Sequence, residues 1–203
     1  MEEIAPGIHH WTAHHDGIGM TVHSYALVVD GSVSLVDPML PDEGLDAFRG
    51  DLRPERILLT NRHHLRRSSA FVDEFGCHVL CHEAGLHEFG GDDPEVRGFA
   101  FGDEVAPGIV ALEVGAITPE ETALHARPVR AIALADVLIE VGDGKLRFVP
   151  DSLLGDDPET EKREMTESLR RLLDADFDHL LLAHGEPIAG TGKDALVAFV
   201  DGG

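Results

Sequence analysis

The chain has 203 residues, 43% of them hydrophobic, with 22 glycines, 11 prolines and a formal charge of −22 from 38 acidic against 16 basic side chains. That length suits one substantial core rather than two ordinary domains, so a single domain over residues 1–203 is expected. The charge repels phosphate backbones and anionic bilayers, which argues against nucleic acid or a membrane surface as partner, and no apolar run approaches the roughly 20 residues of a membrane span.

The start, Met1-Glu2-Glu3-Ile4-Ala5-Pro6-Gly7, shows neither the basic end nor the apolar stretch of a secretory signal, so a cytoplasmic location is expected. In the cluster His9-His10-Trp11-Thr12-Ala13-His14-His15, a partly exposed edge strand and loop is expected, with Trp11 and His14 able to shape a substrate mouth. Residues 22–30, the pair Gly31-Ser32 and residues 33–37 read as a β-hairpin ending at Asp37-Pro38. A helix is expected around residues 42–48. The apolar run Arg56-Ile57-Leu58-Leu59-Thr60 then reads as a strand buried on both faces. The polar loop Asn61-Arg62-His63-His64-Leu65-Arg66-Arg67 follows it, and strand-end loops are where α/β-type folds place chemistry.

Phe71, Val72 and Phe75 suggest a helix closed by Gly76, and residues 77–81 a short strand. The two cysteines, Cys77 and Cys81, would lie about 13 Å apart on such a strand, too far for a disulfide or a shared metal. His78, His82 and His87 are expected at the surface. Residues 85–108 give no firm assignment; residues 109–114, 122–125 and 129–136 read as strands. A clear helix begins at Asp157 as N-cap with Pro158 in the first position, and Met165, Leu169, Leu172 and Leu173 mark its buried face. A strand over residues 178–182 and a helix over residues 193–200 close the chain. Asp151 reads as a turn carboxylate that could approach the strand-end loops.

Of the 13 histidines, those at strand ends carry most information, because ligands must converge and neighbours in sequence need not. The segment Thr60-Asn61-Arg62-His63-His64-Leu65-Arg66 resembles the first motif of the metallo-β-lactamase superfamily, a strand ending in Thr followed by His-x-His-x-Asp-His. In that alignment His63 keeps the second histidine, while Asn61, Leu65 and Arg66 replace the other ligands. Gly115-Ala116-Ile117-Thr118-Pro119-Glu120 resembles the next motif with Ile117 in place of histidine, Asp136 matches the bridging aspartate, and Ala183-His184-Gly185-Glu186-Pro187 matches the closing Gly-His-Gly-x-Pro. With the Asp37-Pro38 hairpin, the resemblance runs from about Ile8 to Val200.

The resemblance implies an α/β (α+β) fold, a four-layer αββα sandwich, and a site in which His63, Asp136 and His184 are the metal ligands kept. Family members of the usual kind bind two Zn²⁺, Fe or Mn ions and hydrolyse esters, lactones, thioesters or phosphodiesters. Two imidazoles and a carboxylate suffice to hold one Zn²⁺, Fe or Mn ion with open positions, a small molecule being the substrate. His64 could add a ligand if the loop turned it inward, and His64, Asp136 and Arg66 are the candidate catalytic groups. Alternatively Arg66 pairs with Asp136, replaces the ion's charge, and leaves a metal-free binding or assembly module. A homodimer is the generic expectation for such a chain.

Overall fold

The computed structural model describes residues 1–202. Its first sheet runs β1 (Glu2–Ala5), β2 (Ile8–His15), β3 (Met20–Val29), β4 (Ser32–Val36), β5 (Arg56–Leu58), β6 (His78–His82) and β7 (Val96–Phe99), in that spatial order. The first four pair antiparallel, and β4 to β7 pair parallel. The β3–β4 hairpin turns at Asp30 and Gly31, both at positive φ (51° and 79°), the pairing of signs that a two-residue turn needs to match the strand twist.

The second sheet holds β8 (Glu104–Ala106), β9 (Ile109–Glu113), β10 (Thr122–Ala126), β11 (Ala131–Leu134) and, after the short pair β12 (Ile139–Glu140) and β13 (Leu146–Arg147), strand β14 (His179–Leu182). Its order is β14-β11-β10-β9-β8, with β14 parallel to β11 and the rest antiparallel. The helices are α1 (Ser68–Phe75), α2 (Pro158–Leu172) and α3 (Gly192–Gly202).

Side-chain alternation along the strands builds the layers. Ile8, Tyr25, Leu27, Val36 and Leu58 of the first sheet meet Ile109, Leu124, Ala126, Ala131, Ala133 and Leu181 of the second. The opposite face of the second sheet, with Ala123, Ile132, Leu134, Leu180 and Leu182, packs on Met165, Leu169 and Leu172 of α2 and Leu196 and Val200 of α3. On the far side of the first sheet, Leu35, Ile57 and Val79 lie under Phe48, Phe71 and Phe75. The result is the expected αββα order. Tyr25 ties the two sheets: its hydroxyl donates to the Leu182 carbonyl at 2.7 Å and accepts from the Leu182 N–H at 3.1 Å.

The long helix starts as its sequence requires, the Asp157 side chain accepting from the Thr160 N–H. Several expectations need correction. Residues 42–48 do not form an α-helix; a 3₁₀ turn spans Gly44–Phe48, because Gly44 at φ 64° interrupts the right-handed run. Strand β2 is not an edge: β1 covers it, and Trp11 is 4% exposed, donating to the Met39 carbonyl and packing edge-on against Phe48. His82 is buried, stacked 3.9 Å from Phe101. Both cysteines are buried free thiols, pushed up by burial to about 11 for Cys77 and about 12 for Cys81. Asp151 is exposed and pairs with Lys162.

Candidate metal centre

Five loops leave the strands at one end of the sandwich. Asp37 follows β4, Thr60 follows β5, Glu121 precedes β10, Asp136 follows β11 and His184 follows β14. Parallel pairing of β4 with β5 and of β11 with β14 brings their carboxyl ends together, the place where such sheets collect functional groups. A bond from the Thr122 N–H to the Thr60 carbonyl, 2.8 Å, fastens one sheet to the other at the site.

The group that converges is His64, Asp136 and His184, each offering a ligand atom within 4.8 Å of the others. His64 Nε2 lies 3.5 Å, and His184 Nε2 3.2 Å, from Asp136 Oδ1. His63 is not part of it. Asn61 caps a 3₁₀ turn over Arg62–His64, its side-chain oxygen accepting from the His63 N–H at 2.9 Å, and that turn leaves the His63 ring exposed while driving His64 inward to 5% exposure. The motif alignment therefore misses by one residue. A loop residue's direction depends on local backbone angles, which the register of the motif does not specify.

Arg66 takes an unusual backbone conformation, φ 47°, and its Nη1 donates to the carbonyls of His23 (2.7 Å) and Asp37 (2.8 Å). It thus secures the loop to strand β3 instead of bonding the Asp136 carboxylate as the metal-free alternative requires. Its cation remains a neighbour of both Asp37 and Asp136, and burial lowers its pKa from the ordinary value.

The surrounding hydrogen bonds aim the three side chains. His64 Nδ1 lies 2.9 Å from Asp37 Oδ2 and 3.1 Å from the Thr60 hydroxyl, which also bonds Asp37. Asn61 Nδ2 donates to Asp136 Oδ2 at 2.7 Å, leaving Oδ1 for the imidazoles. Glu121, fully buried, accepts from the N–H groups of Asp136 (2.9 Å) and Val137 (2.7 Å) and so fixes the bend that presents the aspartate. Gly185, at φ 122°, supports His184 from behind; a Cβ there would sit 2.5 Å from the Glu140 carbonyl oxygen.

Electrostatics follow from this packing. Burial alone would raise the Asp136 carboxyl, but His64 and His184 outweigh it and hold it well below the usual carboxylate range. Burial likewise opposes ionisation of Asp37, and His64, Arg66 and Thr60 more than compensate. Burial would lower the His64 imidazole, yet Asp37 and Asp136 lift it to about 9. Glu121 is raised to about 8 by burial and by the charge of Asp136.

The donor set fits one metal ion. Two ligand atoms about 2.1 Å from a tetrahedral ion stand about 3.4 Å apart, which the spacings of 3.2 and 3.5 Å about Asp136 Oδ1 match. Those spacings are long for charge-assisted hydrogen bonds. Once the imidazolium gives up one proton, Asp37 can keep Nδ1–H and leave the Nε2 lone pair of His64 to a metal, the carboxylate–histidine arrangement that tunes metal ligands. His184 Nδ1 is buried with no hydrogen-bond partner among the described residues. A second ion at this centre does not fit: Leu65, Arg66 and Ile117 offer no donors at the positions where the motif carries them.

Asp37 and Glu121 touch the ligands and are not singled out by the motifs. Only the Asp37-Pro38 strand end gave a signal for one of them.

No family model and no curated protein matches the sequence. The fold does match solved structures. A metallo-β-lactamase family protein from Thermus thermophilus is 18% identical at TM-score 0.67, over 98% of this chain and 80% of that one. DIM-1 metallo-β-lactamase is 11% identical at TM-score 0.72, over 99% and 96%. TTHA1623, in a di-iron-bound form, is 21% identical at TM-score 0.67, over 88% and 94%. The chain has the metallo-β-lactamase fold. Among the described residues no helix is long and apolar enough to cross a membrane.

Proposed function

We propose that this chain is a metal-dependent hydrolase of a small ester, lactone or thioester, holding one Zn²⁺, Fe or Mn ion on His64 Nε2, Asp136 Oδ1 and His184 Nε2. The observation that carries the reading is the convergence of those three atoms from three strand-end loops, at separations suited to an ion. A di-iron-bound relative in fold and a neighbour named as a β-lactamase support it. Such an ion would act as a Lewis acid on a carbonyl and bring the pKa of water toward about 7.

The chain's own groups prepare that centre. When His64 loses a proton to bind metal, Asp37 retains the one on Nδ1, so the other nitrogen meets the ion as a lone pair. Asn61 occupies one oxygen of Asp136 and orients the other. Asp136, with 28% of its side chain exposed, and His184, with 13%, mark the face open to substrate. Arg66 adds a permanent positive charge behind the loop, which favours an anionic transition state in an otherwise acidic protein.

One observation favours a second reading, a non-catalytic and metal-free module: His64 stands between Asp37 (2.9 Å) and Asp136 (3.5 Å), where its imidazolium would neutralise the pocket without an ion. Elemental analysis of protein purified without chelator, with an aryl acetate, a γ-lactone and an acyl thioester as substrates, separates the two. On the hydrolase reading, His64→Ala and His184→Ala each lose bound metal and hydrolysis together. Hydrolysis that survives in both variants, or purified protein with neither metal nor hydrolysis, would overturn it.

A further inference from the structure

A second constellation lies beside the first, on the N-terminal hairpin. His10 of β2 and His23 of β3 project from the inner face of the first sheet, in line with Ile8, Tyr25 and Leu27, at the mouth end of the inter-sheet core. Both are nearly fully buried, at 4% and 5% exposure. Their rings are nearly parallel, at 12°, and meet edge to edge with centroids 5.1 Å apart; His10 also lies beside the Tyr25 ring at 5.2 Å. His10 Nε2 and His23 Nδ1 are 2.9 Å apart, and an oxygen of Glu186, from the loop after β14, completes a group of three ligand atoms within 4.8 Å of one another.

We propose that His10 Nε2, His23 Nδ1 and a Glu186 carboxylate oxygen form a second divalent-metal site, for Zn²⁺ or Co²⁺, separate from the His64 centre. The 2.9 Å separation is that of an N–H···N hydrogen bond between the rings, and a tetrahedral ion, which holds its ligand atoms about 3.4 Å apart, would displace the shared proton and part the two nitrogens by about 0.5 Å. Two imidazoles and one carboxylate on one side of an ion leave the remaining positions to solvent. His10 Nδ1, the nitrogen pointing away from the site, faces Glu2 at 3.7 Å. Without an ion, the pair satisfies one nitrogen of each ring on the other, and Glu186 stays exposed.

The site would clip the hairpin to the loop that carries His184. That loop is already bonded to the hairpin through the His23 N–H and the Ala183 carbonyl, 3.0 Å, and Gly185 separates the ligand of one centre from the ligand of the other. Occupancy is independent of whether the His64 centre loads.

Protein stripped by chelator and reloaded with Zn²⁺ tests this, with bound metal counted after gel filtration, affinity taken by competition titration and folding checked by thermal melting. The His64→Ala/His184→Ala double variant is expected to retain one Zn²⁺. Adding Glu186→Gln, at an exposed position that folding tolerates, should weaken its binding at least tenfold, and His23→Asn should abolish it. Should the double variant not fold, Glu186→Gln in the otherwise unaltered chain must remove one Zn²⁺: one of two if the His64 centre also loads, the sole one if it does not. Zn²⁺ binding that is absent, or indifferent to both Glu186→Gln and His23→Asn, would show a hydrogen-bonded histidine pair only.

Discussion

His64 Nδ1 stands 2.9 Å from Asp37 Oδ2, both side chains buried, on loops that leave two parallel neighbouring strands. This contact decides which nitrogen of His64 faces Asp136 and His184. Asp37 is thus a positioning residue, and Asp37→Asn should weaken Zn²⁺ binding at the His64 centre by about 10–100-fold, the usual effect of losing such a partner. It should also move the pKa governing metal uptake below its value of about 9, because a charge that raises the imidazole is gone. Competition titrations from pH 6 to 10 check both, and an unchanged pH dependence would deny Asp37 its role.

Stability of metal-stripped protein should fall as pH rises from 6.5 to 9. His64 has a folded-state pKa of about 9 against 6.5 in the unfolded chain, so its contribution is complete below 6.5 and lost as pH climbs through 9. Glu121, raised from 4.5 to about 8, loses its contribution in the same direction over 4.5 to 8. Asp37 and Asp136, both depressed, contribute above the ordinary carboxylate pKa and fail only in acid. The His64 share is on the order of 3 kcal/mol, at 1.4 kcal/mol per pKa unit. Urea midpoints across this window measure it; His64→Gln should flatten the upper part of the profile, and a rise in stability with pH would contradict the charge assignment.

Metal uptake should run the opposite way. A ligating imidazole must shed its proton, so affinity at the His64 centre should strengthen up to pH 9, with protons released on binding. Isothermal titration in two buffers of different ionisation enthalpy counts those protons. His63→Ala should leave the count and the affinity unchanged, because His63 is exposed and outside the converging group.

Tyr25→Phe removes one hydroxyl that serves both the N–H and the carbonyl of Leu182 across the sandwich. Leaving buried backbone groups without partners costs about 1–3 kcal/mol each. A loss of that size in urea unfolding, with far-ultraviolet circular dichroism unchanged, is the expected result.

Gly185→Ala places a methyl 2.5 Å from the Glu140 carbonyl oxygen and asks a non-glycine residue to hold φ 122°. The bend must move, and His184 with it. Zn²⁺ affinity at the His64 centre should fall at least tenfold even where the variant stays folded; an unaltered affinity would show that the bend is not what aims His184.

Much of this protein could be read along the chain because its signals are local. Strand alternation, the Asp30-Gly31 turn, the Asp157 cap with Pro158, and Gly76 at the end of α1 each act over a few residues, and the motif order around Thr60, Asp136 and His184 indicated the fold. The identity of the converging side chains was decided elsewhere. His64 instead of His63 follows from a 3₁₀ turn capped by Asn61 and from the φ of 47° at Arg66, which is held by carbonyls of residues 23 and 37. Glu121 beneath Asp136, and His10 against His23, meet only after strands have paired. Propensity and pattern specify elements; the direction of a loop side chain depends on contacts between distant residues, and those exist only once the sheets have closed on each other.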